Sequence, residues 1–252
     1  PRMTARAASL FEAGKRLEIH EGEVGAPRAG EVLIRMAAAG ICHTDLHVMT
    51  GHAAAPLPAV LGHEGAGVVE EVGAAVGTVK PGDHVIPLWR LSCGVCEYCS
   101  DGRPALCAEG MQVRATGCLL DGTTRFTLRG GAIKHFCGVS SFSEYAVVPE
   151  RAVLRIPDDL PLDRAALLGC AVVSGVGAVF NAARVRPGSS VAVFGTGGVG
   201  LNVVQGAALA GAGMIVAVDR VAQKLEWARR FGATHAVDAG QGDPVAEIRA
   251  LT

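Results

Sequence analysis

The apolar positions along the chain change period near residue 155. Before it they recur in short alternating runs, the signature of half-buried strands. Residues 5–10 and 17–20 flank a Gly14-Lys15 turn, 31–38 alternate again, and 65–72 mix small and branched apolar residues up to Gly73. Lys80-Pro81-Gly82-Asp83 is a turn feeding a further strand. Many short strands punctuated by Gly and Pro predict a β-rich, barrel-like domain. Beyond residue 155 strands and helices alternate. Residues 161–170 and 172–184 read as helices, 191–194 as a buried strand, 200–211 as a helix and 214–218 as a second strand. Residues 221–231 read as a helix with Leu225, Ala228 and Phe231 on its apolar face, 234–237 as a third strand, and a last helix begins near Pro244. That alternation predicts an α/β half built on a doubly wound parallel sheet. The expected domains are residues 1–171 and 172–252. A complete sheet of this kind has about six strands, so the second domain reads as truncated.

Composition narrows the function classes. The chain has 252 residues, half of them hydrophobic and 19% charged, which supports a packed core rather than disorder. Net charge is −1 with no long single-sign run, and aromatics are only 4%, so neither a nucleic-acid nor a membrane surface is expected. Residues 165–183 and 191–218 are uncharged. The second stretch holds seven glycines with Asn202 and Gln205 and reads as strand, turn, helix and strand, not as a bilayer span. Charges interrupt residues 1–15, so no signal core is expected there. Eight cysteines in that setting point to metal or redox chemistry in a reducing compartment, and a cytoplasmic location is expected.

The candidate chemistry begins with Cys42, His63 and Cys170. Two thiolates and one imidazole form the ligand set of an open zinc site, in which a fourth position is left for water or substrate. The three lie far apart in sequence and converge only in a finished fold. Asp45 is a candidate acceptor for the other nitrogen of His63, and Glu64 could tune the metal or ligate it transiently. Singly, each cysteine could be a small buried hydrophobe and His63 a core histidine. Thr44, two residues past Cys42, could reach an oxygen at the metal or merely end a strand.

Cys93, Cys96, Cys99 and Cys107 place four thiolates within fifteen residues. Four sulfurs close a tetrahedral zinc site, and in so apolar-poor a loop the ion would supply the folding energy. Four thiolates also suit [4Fe–4S]. A zinc-ribbon nucleic-acid module lacks its charge, since Arg103 is the only basic residue between Cys93 and Cys107. Cys118 and Cys137 show no ligand spacing and read as packing residues.

Gly195-Thr196-Gly197-Gly198-Val199-Gly200 follows a predicted strand and opens a predicted helix, with Asp219 after the next strand. That is the context a dinucleotide site requires. Gly195 makes the turn, Gly197 admits the pyrophosphate and Gly200 lets helix and strand pack. Asp219 would bond the ribose hydroxyls and repel a 2′-phosphate, favouring NAD. Arg220 blurs that preference, and Lys224 could reach the same ribose.

Taken in order, Gly40-Ile41-Cys42-His43-Thr44-Asp45, Leu61-Gly62-His63-Glu64-Gly65-Ala66-Gly67, the cysteine lobe at about 90–112, Leu168-Gly169-Cys170 and the glycine turn resemble the zinc-dependent medium-chain alcohol dehydrogenases. The resemblance covers nearly the whole chain. It implies a GroES-like catalytic domain joined to a Rossmann NAD domain, with catalytic zinc on Cys42, His63 and Cys170 and structural zinc on the four-cysteine lobe. By the same likeness Thr44 takes the alcohol proton, His47 ends a relay to solvent, and His43 contacts the pyrophosphate. Ser174 and Val199 lie near the nicotinamide, and Trp89 walls a narrow apolar pocket. Family members are longer and, at full length, form homodimers or homotetramers.

Within the family, residues 121–126 and 135–145 look like the class III branch, which oxidises the glutathione adduct of formaldehyde. The departures are residues 51–56, which lack that branch's acids, Met111 where it carries arginine, and His47 where it has tyrosine. The expected reaction is therefore reversible, zinc-dependent oxidation of primary alcohols to aldehydes, aromatic ones included, with hydride transfer to NAD. Oxidation of S-(hydroxymethyl)glutathione or another thiol adduct is the alternative. An inactive zinc- and dinucleotide-binding fragment is the alternative of another class.

Overall fold

The computed structural model describes residues 2–252. They divide into two compact units, one ending at Cys170 and one running from Ala171 to Thr252.

In the first unit β1 (Met3–Leu10) and β2 (Glu18–Val24) form a hairpin, and β3 (Glu31–Gly40) leads into α1 (His43–Met49). Then come β4 (Ala59–Val60), β5 (Glu64–Val72) and β6 (His84–Pro87). The cysteine lobe carries α2 (Glu97–Ser100) and α3 (Ala108–Thr116) with a 3-10 turn, Pro104–Leu106, between them. β7 (Phe126–Leu128), β8 (Gly131–His135), β9 (Tyr145–Pro149), β10 (Val153–Arg155) and α4 (Leu162–Ala165) complete the unit. Five strands close a barrel in the order β1-β2-β7-β8-β4, and five form a sheet in the order β10-β6-β5-β3-β9. The principal core joins inward residues of both, including Leu33, Val60, Phe126, Leu128 and Val147. Burying each large apolar side chain stabilises the fold by roughly 1.5–3 kcal/mol.

Two features position the site. The first is the antiparallel register of β3 and β5, which sets Gly40 opposite Glu64. A Cβ at residue 40 would stand 2.1 Å from the Glu64 Oε2, so glycine there lets Glu64 fold against β3. Strand pairing thus brings the segment after β3, with Cys42, beside the segment that opens β5, with His63. The second is a buried ion network. Arg125 donates to Glu31 through Nε (2.9 Å) and Nη2 (2.5 Å), and Nη2 also reaches Asp121 at 2.7 Å. It anchors the start of β3 to the strand-bearing wall of the barrel.

In the second unit α5 (Val173–Gly177) is followed by β11 (Ser190–Phe194), α6 (Gly198–Leu209), β12 (Met214–Asp219), α7 (Ala222–Arg230), β13 (His235–Asp238) and α8 (Pro244–Leu251). The three strands are parallel in the order β11-β12-β13. Val193, Val204, Ala207, Ile215, Leu225 and Ala228 are buried among them.

The structure corrects four expectations. Thr44 does not end a strand but lies in the first turn of α1, a helix capped by Cys42 that the pattern did not reveal. The expected helices at 161–170 and 172–184 are interrupted by π-helical stretches at Leu168–Val172 and Ala178–Ala183. The helix after the glycine turn begins at Gly198, not Gly200. Phe231 lies outside α7 and is 43% exposed, so only Leu225 and Ala228 serve its buried face. The helical stretch Leu162–Ala183 is apolar and long enough to cross a bilayer by length and composition alone, yet Gly169 within it packs beneath the Pro87 carbonyl of the first unit's sheet.

Candidate active site

Cys42 opens α1 through an exchange of hydrogen bonds. Its sulfur accepts from the Thr44 amide at 3.5 Å, and its own amide donates to Asp45 Oδ2 at 3.2 Å. This is a capping box with cysteine in the serine position. The Asp45 carboxylate, turned inward by that exchange, also accepts from the Gly62 amide at 3.1 Å. Its Oδ1 lies 3.3 Å from His63 Nδ1. One carboxylate therefore touches the segments that carry Cys42 and His63. It fixes the imidazole with Nδ1 toward the acid and Nε2 toward the opposite side.

Cys170 arrives from the π-helical turn. An extra residue in a helical turn re-aims side chains, which is why such turns recur at functional sites. The ligand atoms of Cys42, His63, Glu64 and Cys170 all lie within 4.8 Å of one another. His63, Glu64 and Cys170 are buried and Cys42 is partly exposed. Burial, then the neighbouring Cys42 and Glu64, push the Cys170 thiol far above the ordinary range. Burial raises the Glu64 carboxyl as well. Two sulfurs, an imidazole and a carboxyl brought this close together form a donor set that a cation among them would satisfy. The donor set fits zinc: soft sulfur and imidazole, one exposed side, and a carboxylate in reserve behind them.

The four-cysteine lobe meets the same test. Its four sulfurs lie within 4.8 Å of one another. Cys93 and Cys99 Sγ are 3.9 Å apart, close to the ~3.8 Å that tetrahedral Zn–S bonds of about 2.3 Å impose. Amides point at the sulfurs, Cys96 N to Cys93 at 3.2 Å and Cys93 N to Cys107 at 3.2 Å. The Ala108 and Cys99 amides pull Cys96 down to about 6, whereas burial pushes Cys99 up to about 11.

Around the centre, Thr44 is exposed, its Oγ1 3.6 Å from the Cys42 sulfur. His43 and His47 are exposed on α1 with ring centroids 6.0 Å apart. No hydrogen bond joins Thr44 to His47 among the described residues. The Trp89 ring meets His63 edge-on, with centroids 6.1 Å apart. Guanidinium groups of Arg90 and Arg114 lie over the Trp89 ring. Arg114 comes from α3, so nothing local in the sequence pairs it with Trp89. Cys137, a packing residue in the sequence reading, lies near Arg114, and burial pushes its thiol up to about 11. Cys118 is buried, with Lys134 Nζ donating to its sulfur at 3.2 Å.

In the second unit Gly195 adopts φ +85°, and Gly197 caps α6. A Cβ at Gly200 would stand 1.8 Å from the Gly195 carbonyl, so this glycine closes the turn more than it seats helix on strand. Gly198, Val199 and Ser174 are exposed, as is Arg220, and Lys224 is partly so. Asp219 is held by its own neighbours. Oδ2 accepts from the Thr196 amide (2.8 Å) and hydroxyl (3.1 Å), and Oδ1 from the amides of Arg220 (2.8 Å) and Val221 (3.0 Å). Burial alone would raise its carboxyl, but these donors outweigh that and lower it. All four acceptor positions of the carboxylate are in use, which ties the glycine turn to the end of β12.

Comparison with known proteins places this geometry. Residues 28–158 match the alcohol dehydrogenase GroES-like domain, and residues 198–252 match the zinc-binding dehydrogenase domain. An S-(hydroxymethyl)glutathione dehydrogenase of Escherichia coli is 49% identical over 248 residues, 98% of this chain and 67% of that protein. Among solved structures, an alcohol dehydrogenase zinc-binding domain protein from Burkholderia ambifaria superposes with a TM-score of 0.94 at 42% identity, covering 100% of this chain and 68% of that one. The benzyl alcohol dehydrogenase of Acinetobacter calcoaceticus superposes at 0.92 with 37% identity, covering 99% of this chain and 68% of that one. Two matched domains in series and this degree of identity lead to one conclusion: the chain belongs to the zinc-dependent medium-chain alcohol dehydrogenases, a family of NAD-linked oxidoreductases.

Proposed function

We propose that this chain oxidises primary alcohols, aromatic ones included, reversibly to aldehydes with NAD as hydride acceptor. The observation that carries the reading is the convergence of Cys42, His63 and Cys170, with Glu64 behind them and Thr44 at their exposed edge. When bound, zinc supplies a Lewis acid that acidifies the substrate hydroxyl, and NAD supplies the hydride acceptor.

The chain's own residues do the rest. Thr44 Oγ1, beside the Cys42 sulfur, accepts the hydroxyl proton of the substrate and passes on its own. His47 stands three residues further on, on the same face of α1, and is exposed. It delivers the proton to solvent. Asp45 holds His63 in one tautomer and orientation. Trp89, packed against His63, keeps water from that side of the substrate. In the second unit the exposed amides at the start of α6 receive the pyrophosphate, with His43 as a further contact. Ser174 and Val199 serve the nicotinamide end. The negative charge of Asp219 disfavours a 2′-phosphate, and Arg220 and Lys224 flank the ribose.

A second reading is oxidation of the glutathione adduct of formaldehyde, favoured by the name carried by the 49% identical Escherichia coli relative. NADH formation measured with aliphatic and benzylic alcohols, and with formaldehyde in the presence and absence of glutathione, separates the two. Turnover of free alcohols supports the first reading. Turnover confined to formaldehyde plus thiol replaces it with the second. A location in the cytoplasm and assembly into dimers or tetramers form part of the same proposal.

A further inference from the structure

Three imidazoles stand in a row along α1 and the turn that follows it. His43 and His47 are one helical turn apart and share a face of the helix, with ring centres 6.0 Å apart and planes inclined at 70°. His52 brings its ring centre within 6.2 Å of that of His47. All three side chains are exposed. His43 and His47 have places in the proposed reaction. His52 has none, and none of the three belongs to the ligand set of Cys42, His63 and Cys170.

The surroundings of His52 fix its tautomer. Thr50 Oγ1 lies 2.8 Å from the Leu46 carbonyl, which can only accept, so the hydroxyl proton points there. The same oxygen lies 2.8 Å from His52 Nδ1 and therefore accepts the proton carried by that nitrogen. Nε2 is left with a bare lone pair. A ring whose other nitrogen donates to a fixed oxygen is prepared to hold a metal.

The spacing suits the same use. Zinc–imidazole bonds of about 2.0–2.1 Å set the ring centres of two histidines on one tetrahedral ion roughly 5 Å apart. The observed separations exceed that by roughly 1 Å, which rotation of exposed side chains covers. The acid on the helix, Asp45, is turned inward to His63. A donor set of imidazoles alone selects zinc, nickel or copper over magnesium or calcium.

We propose that His43, His47 and His52 form a third metal site, for a divalent ion of the zinc, nickel and copper class, and that an ion bound there inhibits the enzyme. Occupancy withdraws His43 from the pyrophosphate and His47 from the proton path together. The binding stands on the geometry of the three rings. The inhibition rests on the alcohol-oxidising reading.

The probe is Ni²⁺ added to the zinc-loaded chain, with bound metals counted after equilibrium dialysis. One nickel per chain is expected beyond the zinc of the catalytic and cysteine sites, which stays in place. His47→Gln removes the central ring and is expected to abolish that binding. His52→Gln is expected to weaken it at least tenfold. Thr50→Val removes the acceptor of His52 and leaves every imidazole, and is expected to weaken it roughly tenfold. Excess Mg²⁺ is expected not to compete. Nickel that enters only as zinc leaves, or that binds the His47→Gln, His52→Gln double variant as tightly as the parent, overturns the site. NADH affinity and NADH formation from benzyl alcohol are both expected to fall as the site fills. His52→Gln, with its full rate in the absence of nickel, is expected to need at least tenfold more nickel for the same loss. Nickel that fills the site and changes neither quantity overturns the inhibition. A chain that takes nickel through these histidines and oxidises no alcohol supports the site and refutes the alcohol-oxidising reading instead.

Discussion

Asp45 Oδ1 lies 3.3 Å from His63 Nδ1, and both side chains are only 2% exposed. The same carboxylate receives the amides of Cys42 and Gly62. A residue that contributes no ligand atom therefore holds two segments that do. Asp45→Asn keeps the shape but can no longer serve every donor as an anion. The expected outcome is a 10- to 100-fold loss of zinc affinity at the catalytic site, with the other zinc retained. Competition with a chromogenic chelator measures it, and unchanged retention of both ions would refute the assignment.

Thr44 is expected to matter for rate far more than for structure. It is exposed, and among the described residues its hydroxyl has the Cys42 sulfur as its one hydrogen-bond partner. Thr44→Ala should lower kcat by roughly 10²-fold or more with little change in melting temperature. Thr44→Ser, which keeps the hydroxyl, should recover most of it. Equal activity of the two variants would remove Thr44 from the proton path.

The cysteine lobe should depend on its ion for order. Its helices are short, and α2 has no buried residue. Cys99→Ser should release one zinc per chain and open the 90–112 segment to limited proteolysis, while the strands of the barrel stay protected. A lobe that resists protease without metal would contradict the account.

Gly200→Ala places a Cβ where the Gly195 carbonyl stands. The turn must open, and the start of α6 moves with it. NADH binding, followed by fluorescence, is expected to weaken at least tenfold, and β11 to β13 should keep their pairing.

Acid sensitivity has a specific source in His135. The ring is fully buried, and burial, then the nearby Arg125, push it down to about 3 from an ordinary value of 6.5. Nε2 accepts the Arg125 amide at 3.1 Å, so the folded form holds the neutral ring. Below pH 6.5 the unfolded chain takes up a proton that the folded chain refuses. Stability is therefore intact above that pH and falls as pH drops toward 3, at up to about 1.4 kcal/mol per pH unit from this group. Urea unfolding of the parent and of His135→Gln between pH 6.5 and 4 isolates the slope. Identical slopes would assign the acid sensitivity elsewhere.

The chemistry-bearing residues were easier to read than the elements that carry them. Cysteine and histidine spacing survives in sequence because few other arrangements of those side chains are common. The helix α1 was hidden because its cap is a cysteine instead of Ser, Thr, Asp or Asn, and its seven residues show no apolar stripe. Only Asp45 at the third helical position hinted at it. The π turn at Cys170 was invisible because residues 161–170 carry an ordinary helical pattern, and nothing local shows that Gly169 admits the Pro87 carbonyl. The guanidinium beside Trp89 was not legible because Arg114 approaches it only through tertiary structure. Asp219 was read from its distance to the glycine turn, which says nothing about how many local amides would claim its oxygens.

The pairing of Gly40 with Glu64 bears on how the molecule would meet a shortage of zinc. The backbone ladder between those strands forms without any ion, so the cradle around His63 is largely assembled in advance. The four-sulfur knot has no such ladder beneath it. Scarcity should therefore undo the two sites in a fixed order of damage: a depleted molecule keeps the outline of its catalytic cradle after its outer loop has come apart, and a fresh supply of metal must first refold the one and need only refill the other.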